Sequence, residues 1–456
     1  MSDLRRAPLI FSGAVIVAIW LWFTRDGWTS YFSGDDLMNT YLAWQKPLAR
    51  FAVENIAFFS SGYRPLGNLL YRLLFGLAGF HPLPFRVAGF ALLFLNLYLA
   101  FRTATAIAGK EAAALTILFW CYNAGVDLYH DTGIIYDILC FTFYFAALGL
   151  YTAVRARKQY LGNTQLAWFL ILYICALDSK EMAVTLPAVL VAYELLFGEP
   201  ASESLIRRWL PSTIAGLMTV PYVVGKLTGS SPLINNESYK LHLSPRIYFA
   251  GLTHYLDLVT SLHPGTLTAT MCALAIVLAA MVAIIRRDRR LMFALAFVLI
   301  TPLPVVFVAL RGAYVMYIPL FGIALYLAVA IVKLREAALG SRMQFATFAT
   351  CAVAVIAFHS LRPWPPQVNP LIRSTVTQLS QIQPSVADRS SILFLDDPFD
   401  KDDTWVLLFI CRLYYGLPEV RIDRVKTMPE KPDQATIDTY DLIFTYRDSR
   451  WVRLKP

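Results

Sequence analysis

Two adjacent carboxylates, Asp35 and Asp36, stand in the stretch YFSGDDLMN, just past the first long apolar run of the chain. A carboxylate at a membrane surface can take the proton of a hydroxyl nucleophile, which is general-base work. A second acid beside it can hold that nucleophile, raise its neighbour's pKa, or bind a divalent cation. The same residues also have a plainer reading, in which Ser33 caps a helix and both acids sit in its first turn, favoured by the macrodipole. The surrounding loop, residues 25–85, is far longer than a connector needs, which favours a task for the acids.

Basic side chains that suit a phosphate recur elsewhere. GYRPLGN carries Tyr63 and Arg64, where the arginine is either an interfacial anchor or a fork for phosphate oxygens. ALDSKEMAVTLP breaks two apolar runs with Asp178, Lys180 and Glu181; it is either a polar hairpin turn or a site where Lys180 meets an anionic headgroup and Glu181 orients it. ALRGAYVMYIPLFG sets Arg311 between two apolar runs, with Tyr314 and Tyr317 one helical turn apart. Tyrosines of this kind also belong to interfacial belts. DLYHDTGIIYDIL holds Asp127, His130, Asp131 and Asp137. No second histidine stands at metal-ligand spacing from His130, so no metal site is predicted there. Asp137 lies a turn inside an apolar run, where a charge is costly and is usually paired or functional.

The elements that must position these groups are membrane helices. The chain has 456 residues, 57% of them hydrophobic and only 16% charged, with a mean hydropathy of +0.53. Apolar runs fall near 8–24, 86–106, 111–125, 133–153, 166–178, 182–198, 209–226, 267–285, 291–310, 314–334 and 343–360. They predict a polytopic α-helical membrane protein with about eleven transmembrane helices. The first run follows Arg5 and Arg6 without a small-residue cleavage site and is expected to be an uncleaved helix.

With Arg5 and Arg6 in the cytoplasm, alternation puts every short basic loop on the same side: Arg102 with Lys110, Arg155 to Lys158, Arg207 with Arg208, Arg286 to Arg290, and Lys333 to Arg342. The net charge of +9 is thereby accounted for by loops, and no basic stripe with interleaved aromatics suggests nucleic acid. The opposite face then receives loop 25–85, the turn around His130, segment 227–266 and the tail from Arg362, so Asp35, Asp36, Arg64, Lys180 and Arg311 share one side. Stretches 47–59, 65–80 and 248–263 are amphipathic and suit the interface. The six cysteines, Cys121, Cys140, Cys175, Cys272, Cys351 and Cys411, form no CxxC pair and read as small core residues.

After the break LRPWPPQVNP the pattern changes. SSILFLDD, VRIDRV and YDLIFTY read as strands and 403–415 as a helix, capped by Asp402 or Asp403 and stopped by Gly416 and Pro418. The expected division is a membrane domain over 1–360 and a small C-terminal α/β domain over 361–456, outside the cytoplasm.

The order of these motifs resembles the GT-C superfamily of integral membrane glycosyltransferases, nearest the protein O-mannosyltransferases and their tetratricopeptide-bearing relatives. The likeness covers most of residues 1–335. It rests on the acidic pair after one span, YRPL…LLFGL, SKEMAVTLP…YELLF and RGAYVMYIPLFG. It implies a polyprenyl-phosphate sugar donor used on the non-cytoplasmic face, with inversion at the anomeric carbon. By that resemblance Asp35 or Asp36 is the catalytic base, and Arg64, Lys180 and Arg311 lie near the donor phosphate. Asp137 matches a buried acid of the family. Tyr63, His130, Asp131, Glu181, Tyr314 and Tyr317 complete the expected substrate contacts.

Two departures stand out. YNAGVDLYHD replaces the HP…E that relatives often carry, and the tail has no tetratricopeptide repeats and does not resemble the tail of the lipid-A aminoarabinose transferases. The acceptor is thus left open among glycan, lipid and protein. No cofactor is predicted, a divalent cation on the acid pair being the one option. The expectation is an inverting hexosyltransferase of the bacterial inner membrane, C-terminus outside, in contact with membrane lipids. The alternatives are a transporter or flippase of a lipid-linked sugar and a glycan-binding scaffold. No internal repeat of the kind many transporters carry is visible, and a scaffold leaves the carboxylates without a task.

Overall fold

A computed structural model describes residues 7–56, 64–126, 128–198, 205–228, 237–339, 343–362 and 369–455. The first apolar run is α1 (Ala7–Thr24), followed by a 3-10 turn. The long loop then folds into α2 (Gly34–Trp44), α3 (Leu48–Ile56) and α4 (Pro65–Ala78). Next come α5 (Pro82–Ala108), α6 (Lys110–Trp120), α7 (Ile135–Arg155), α8 (Asn163–Leu177), α9 (Leu186–Phe197) and α10 (Leu205–Thr228). The set closes with α11 (Pro245–Thr260), α12 (Ala269–Ile285), α13 (Arg289–Ile300), the single turn α14 (Leu303–Val306), α15 (Tyr317–Leu339) and α16 (Gln344–Leu361).

Each apolar run expected to span the bilayer contains a helix, although the run 111–125 leaves its helix at Trp120 and the run 291–310 is broken after Ile300. Among the described residues six stretches, those of α1, α5, α7, α13 with α14, α15 and α16, are long and apolar enough to cross a membrane. The helices α6, α8, α9 and α12 are shorter, and α10 carries Pro211 and Pro221 within it. The amphipathic stretches appear as α3, α4 and α11.

Burial sorts the helices. In α7 and α15, 72% of the best apolar window is buried, against 28% for α1 and 22% for α16, so the first two form the centre and the last two the rim. Trp120 of α6 stacks on Phe141 at 4.5 Å and on Tyr317 at 4.8 Å, joining α6, α7 and α15. Asn96 of α5, fully buried, accepts from Thr142 at 2.7 Å and donates to the Ile138 carbonyl at 3.1 Å. A polar pair of this kind ties helices together where water cannot compete.

The bundle has two polar ends. One holds the site described below. At the other, Glu194 near the end of α9 accepts from Arg155, Arg208 and Tyr151. Asp288 before α13 meets Arg290 and Lys333, and Glu111 at the start of α6 meets Arg335. These are residues of the short basic loops, so the loops that alternation put on one side do share one end of the bundle.

Beyond α16 the chain forms α17 (Pro370–Ile382), β1 (Ser391–Phe394), α18 (Val406–Tyr415), β2 (Arg421–Arg424), the short α19 (Gln434–Asp438), β3 (Leu442–Arg447) and β4 (Arg450–Lys455). The sheet order is β2-β1-β3-β4, with β1 parallel to β2 and β3, and β4 antiparallel to β3. Buried Leu393 and Phe394 pair with Ile443 and Phe444 of β3, which sets the register by burial. The three expected strands and the helix are present. The expected cap is not: Trp405 occupies the N-cap of α18 without a side-chain cap bond, because the chain from Asp400 to Thr404 closes a turn of its own. Gly416 does end the helix, with φ +68°.

This sheet domain docks through α18 onto α2. Phe409 packs on Tyr41 at 5.1 Å, and Arg412 donates to the Tyr41 hydroxyl at 2.9 Å. The helix that begins with Gly34, Asp35 and Asp36 is therefore held between bundle and tail.

Candidate active site

Ser33 is the N-cap of α2. Its hydroxyl accepts from the Asp36 amide at 3.1 Å, and Asp36 Oδ2 accepts from the Ser33 amide at 2.8 Å, a reciprocal capping box. Asp36 Oδ1 accepts from the Tyr71 hydroxyl at 3.1 Å, and the residue is fully buried. The adjacent acids thus point to different places. Asp36 turns inward and fixes the start of the helix. Asp35 opens onto a cavity of about 800 Å³.

That cavity is where separated parts of the sequence meet. Asp35, Arg64, Asp131, Asp137, Lys180, Glu181, Arg311 and Tyr314 all line it. One wall is apolar, with Val223, Leu227, Leu241, Leu258, Val305 and Val308. Each contributing element ends or breaks here. Pro65 at the first position of α4 stops the helix from running back through Arg64. Lys180 is extended, between α8 and the 3-10 turn Glu181–Thr185. Arg311 precedes the 3-10 turn Ala313–Met316 that leads into α15.

The ion pairs differ from the expected pairing. Lys180 Nζ donates to Asp137 Oδ2, not to Glu181. Glu181 instead bridges Arg64 at 3.2 Å and Lys226 at 3.3 Å. Burial pushes the Glu181 carboxyl pKa up, but Arg64 and Lys226 outweigh it and hold it well below the usual range. One carboxylate is shared by two cations, and the lining as a whole carries four cations, Arg64, Lys180, Lys226 and Arg311, beside four carboxylates, Asp35, Asp131, Asp137 and Glu181. Each cation also rests on a tyrosine ring: Arg64 on Tyr136 at 5.1 Å, Lys180 on Tyr314 at 4.6 Å, Lys226 on Tyr222 at 5.5 Å and Arg311 on Tyr239 at 4.2 Å.

Asp131 approaches Asp35 from the other side. Its Oδ1 accepts from Ser33 Oγ at 2.7 Å and from the Gly133 amide at 2.7 Å. A Cβ at Gly133 would lie 2.8 Å from Asp35 Cβ and 2.9 Å from Asp131 Oδ1, so the approach of these carboxylates needs glycine there. The Asp35 pKa is raised, first by burial in the surrounding protein and second by Asp131, with Arg64 and Lys180 opposing. A carboxylate with a raised pKa beside several cations suits a general base. Among the described residues no group of three His, Cys, Asp or Glu side chains comes together as a metal site.

His130 and Tyr317 are not among the lining residues. His130 is buried beside Ser30, which donates to its carbonyl at 2.8 Å, and Tyr317 belongs to the Trp120 stack. Tyr63 and Asp127 lie outside the described residues. Sequence reasoning missed Lys226, Tyr136, Tyr222 and Tyr239. Lys226 stands at the end of an apolar helix, where a lysine looks like an interfacial anchor, and only its pairing with Glu181 marks it out.

No protein-family model matches the chain, and no curated protein sequence matches it. Solved structures do. ArnT from Cupriavidus metallidurans bound to undecaprenyl phosphate is 15% identical, with a TM-score of 0.57 over 97% of each chain. The same protein in its apo state gives 14% identity and a TM-score of 0.55, over 98% of this chain and 94% of that one. The Archaeoglobus fulgidus oligosaccharyltransferase tethered to an acceptor peptide is 12% identical, with a TM-score of 0.51 over 92% of this chain and 64% of that one. The chain shares the fold of these solved structures. Coverage of 97% extends the likeness to ArnT, an aminoarabinose transferase, beyond the membrane helices into the sheet domain, which corrects the expectation that the tail departs from that of such transferases: at 15% identity the backbone arrangement persists where the residues do not.

Proposed function

We propose that this chain is a GT-C-type glycosyltransferase that moves a sugar, with inversion, from a polyprenyl-phosphate donor to a hydroxyl-bearing acceptor on the non-cytoplasmic face of the membrane. The observation that carries this is the convergence of Asp35 with Arg64, Lys180, Lys226 and Arg311 around one cavity with an apolar wall. Cations suit a phosphate, the apolar wall suits a polyprenyl chain, and the carboxylate suits a proton acceptor. The likeness to an ArnT structure bound to undecaprenyl phosphate supports the donor class.

In this reading Asp35 takes the proton of the acceptor hydroxyl, and the oxygen attacks the anomeric carbon. The bond from that carbon to the phosphate oxygen breaks, and its electron pair leaves with the polyprenyl phosphate. The charge that develops on the leaving phosphate falls among Arg64, Lys180, Lys226 and Arg311, positioned before the reaction begins. Asp137 holds Lys180, Glu181 holds Arg64 and Lys226, and Asp36 holds the helix start that aims Asp35. Asp35 with Asp131 is the pair that would receive a divalent cation. A flippase needs ionisable groups along a path between the two faces. The ionisable clusters described above sit at the two ends of the bundle, which favours a transferase.

The test is sugar transfer from a synthetic polyprenyl-phosphate hexose by purified protein and by Asp35→Asn. Loss of transfer with donor binding retained supports the reading. Undiminished transfer by the variant overturns it.

A further inference from the structure

A second cavity, about 690 Å³, lies between the start of α2 and the sheet domain. Asp35 and Asp131 line both cavities, so the two meet at these carboxylates. The first cavity presents four cations beside four carboxylates. The second presents carboxylates only. Its charged lining residues are Asp35, Asp131 and Asp403, and no lysine or arginine is among the residues that line it. Arg373, on α17, and Lys401 are close in sequence but do not line it. Trp405 and Phe399 supply aromatic surface, and the Trp405 ring lies against Gly34, where a Cβ would sit 2.8 Å from its Cη2.

The wall is built, not incidental. Arg424 at the end of β2 pairs with Asp397 at 2.8 Å and donates to the carbonyls of Phe399, Asp400 and Asp403. Lys426 donates to the carbonyls of Asp397 and Phe399. Two basic side chains thus hold the loop 397–403 in one shape, and the Phe399 amide closes it on Asp397 Oδ1 at 3.0 Å. The loop offers Phe399 and Asp403 to the cavity, while Arg424 and Lys426, which hold it, are not among the lining residues.

Resting on the transferase reading, we infer that this second cavity is the acceptor site and that it takes an uncharged or amino-bearing carbohydrate, not one whose anionic group is near the reacting hydroxyl. Trp405 is the stacking platform for a sugar ring, and Asp403 accepts from its hydroxyls or amine. Three carboxylates with no cation among them repel a phosphate or carboxylate brought to the same place. The charge contrast between the cavities separates the partners: the anionic donor goes to the first and the uncharged or cationic acceptor to the second. The bond chemistry is that given above, with the acceptor oxygen reaching Asp35 from this side.

The experiment measures equilibrium binding of tritiated butyl glucoside, glucosaminide and glucuronide to the full chain in lipid nanodiscs. Polyprenyl phosphate binding and donor turnover are measured on the same samples. The glucoside and glucosaminide should bind at least about tenfold more tightly than the glucuronide. Trp405→Ala should weaken both by about tenfold or more, since buried aromatic contacts carry much of such affinity. Asp403→Lys, a change at an exposed position, should shift the preference toward the glucuronide. Equal binding of all three probes, binding of neither neutral nor amino probe, or no shift with Asp403→Lys overturns the inference. Donor turnover by a wild type that fails these tests leaves the transferase reading standing. No donor turnover at all removes that reading and the acceptor role with it.

Discussion

Ser33 Oγ donates to Asp131 Oδ1 at 2.7 Å across 98 residues of sequence, and the same hydroxyl accepts from the Asp36 amide. One side chain therefore caps α2 and sets the distance between the carboxylates of Asp35 and Asp131. The consequences can be measured.

Asp35→Asn should lower sugar transfer by about 10²–10⁴-fold, the range of general-base contributions, with donor binding retained. Asp36→Asn should cost much less in rate and show itself in thermal stability, because Asp36 serves the capping box and the Tyr71 hydroxyl. Equal rate losses in the two variants would contradict the division of labour between them.

The pH profile should respond to Asp131. Burial first, and then the Asp131 charge, raises the Asp35 pKa. Removing a like charge lowers it, so Asp131→Asn should move the acid limb of transfer activity toward lower pH. Asparagine can still accept the Ser33 and Gly133 hydrogen bonds through its carbonyl. A limb that stays in place, or moves to higher pH, would show that the two carboxylates are not coupled.

Glu181→Gln should destabilise the protein by roughly 1–3 kcal/mol at neutral pH, since it removes the shared partner of Arg64 and Lys226. The carboxyl pKa in the folded protein lies below its unfolded value. Its stabilisation is therefore fully present above the unfolded value of about 4.3 and is lost as pH falls toward the folded one. The gap in Tm between wild type and variant should close as pH is lowered below that value.

Lys226→Met should raise the donor KM by about tenfold or more, the loss of one charge-assisted phosphate contact. Glu194→Ala provides the contrast. It leaves Arg155 and Arg208 without their shared carboxylate at the other end of the bundle and should cost about 3–5 kcal/mol of stability, with the donor KM of the folded fraction unchanged. Parallel changes in donor KM for both variants would remove Lys226 from the site.

Local chemistry explains what the sequence made legible. The apolar runs are long enough to declare helices whatever they pack against. Ser33 followed by Asp36 is a cap whose signature is wholly local, and SILF and LIFTYR are apolar enough to declare strands. The gathering of Arg64, Lys180 and Arg311 with Asp35 was readable from side alternation, because all of them occupy breaks between helices. What was hidden depends on contacts between distant segments. That Glu181 serves Arg64 and Lys226, while Asp137 takes Lys180, follows from how α4, α7 and α10 converge. The strand β4 escaped notice because Arg450 and Arg453 interrupt its apolar residues Trp451, Val452 and Leu454, as suits an edge strand. The cap of α18 was misread because a run of aspartates near a helix looks like a cap even when its turn closes on itself.

The docking of α18 onto α2 through Tyr41, Phe409 and Arg412 has a consequence for how such a protein can change over generations. On the transferase reading, the surface proposed for the lipid carrier is written in the bundle, and the lining of the second cavity is written largely in the last ninety or so residues of the chain. If that reading holds, substitutions in the tail that spare this one joint retune the acceptor without disturbing the donor. New specificities can therefore arise by drift or exchange of a small module, while the machinery at Asp35 stays as it is.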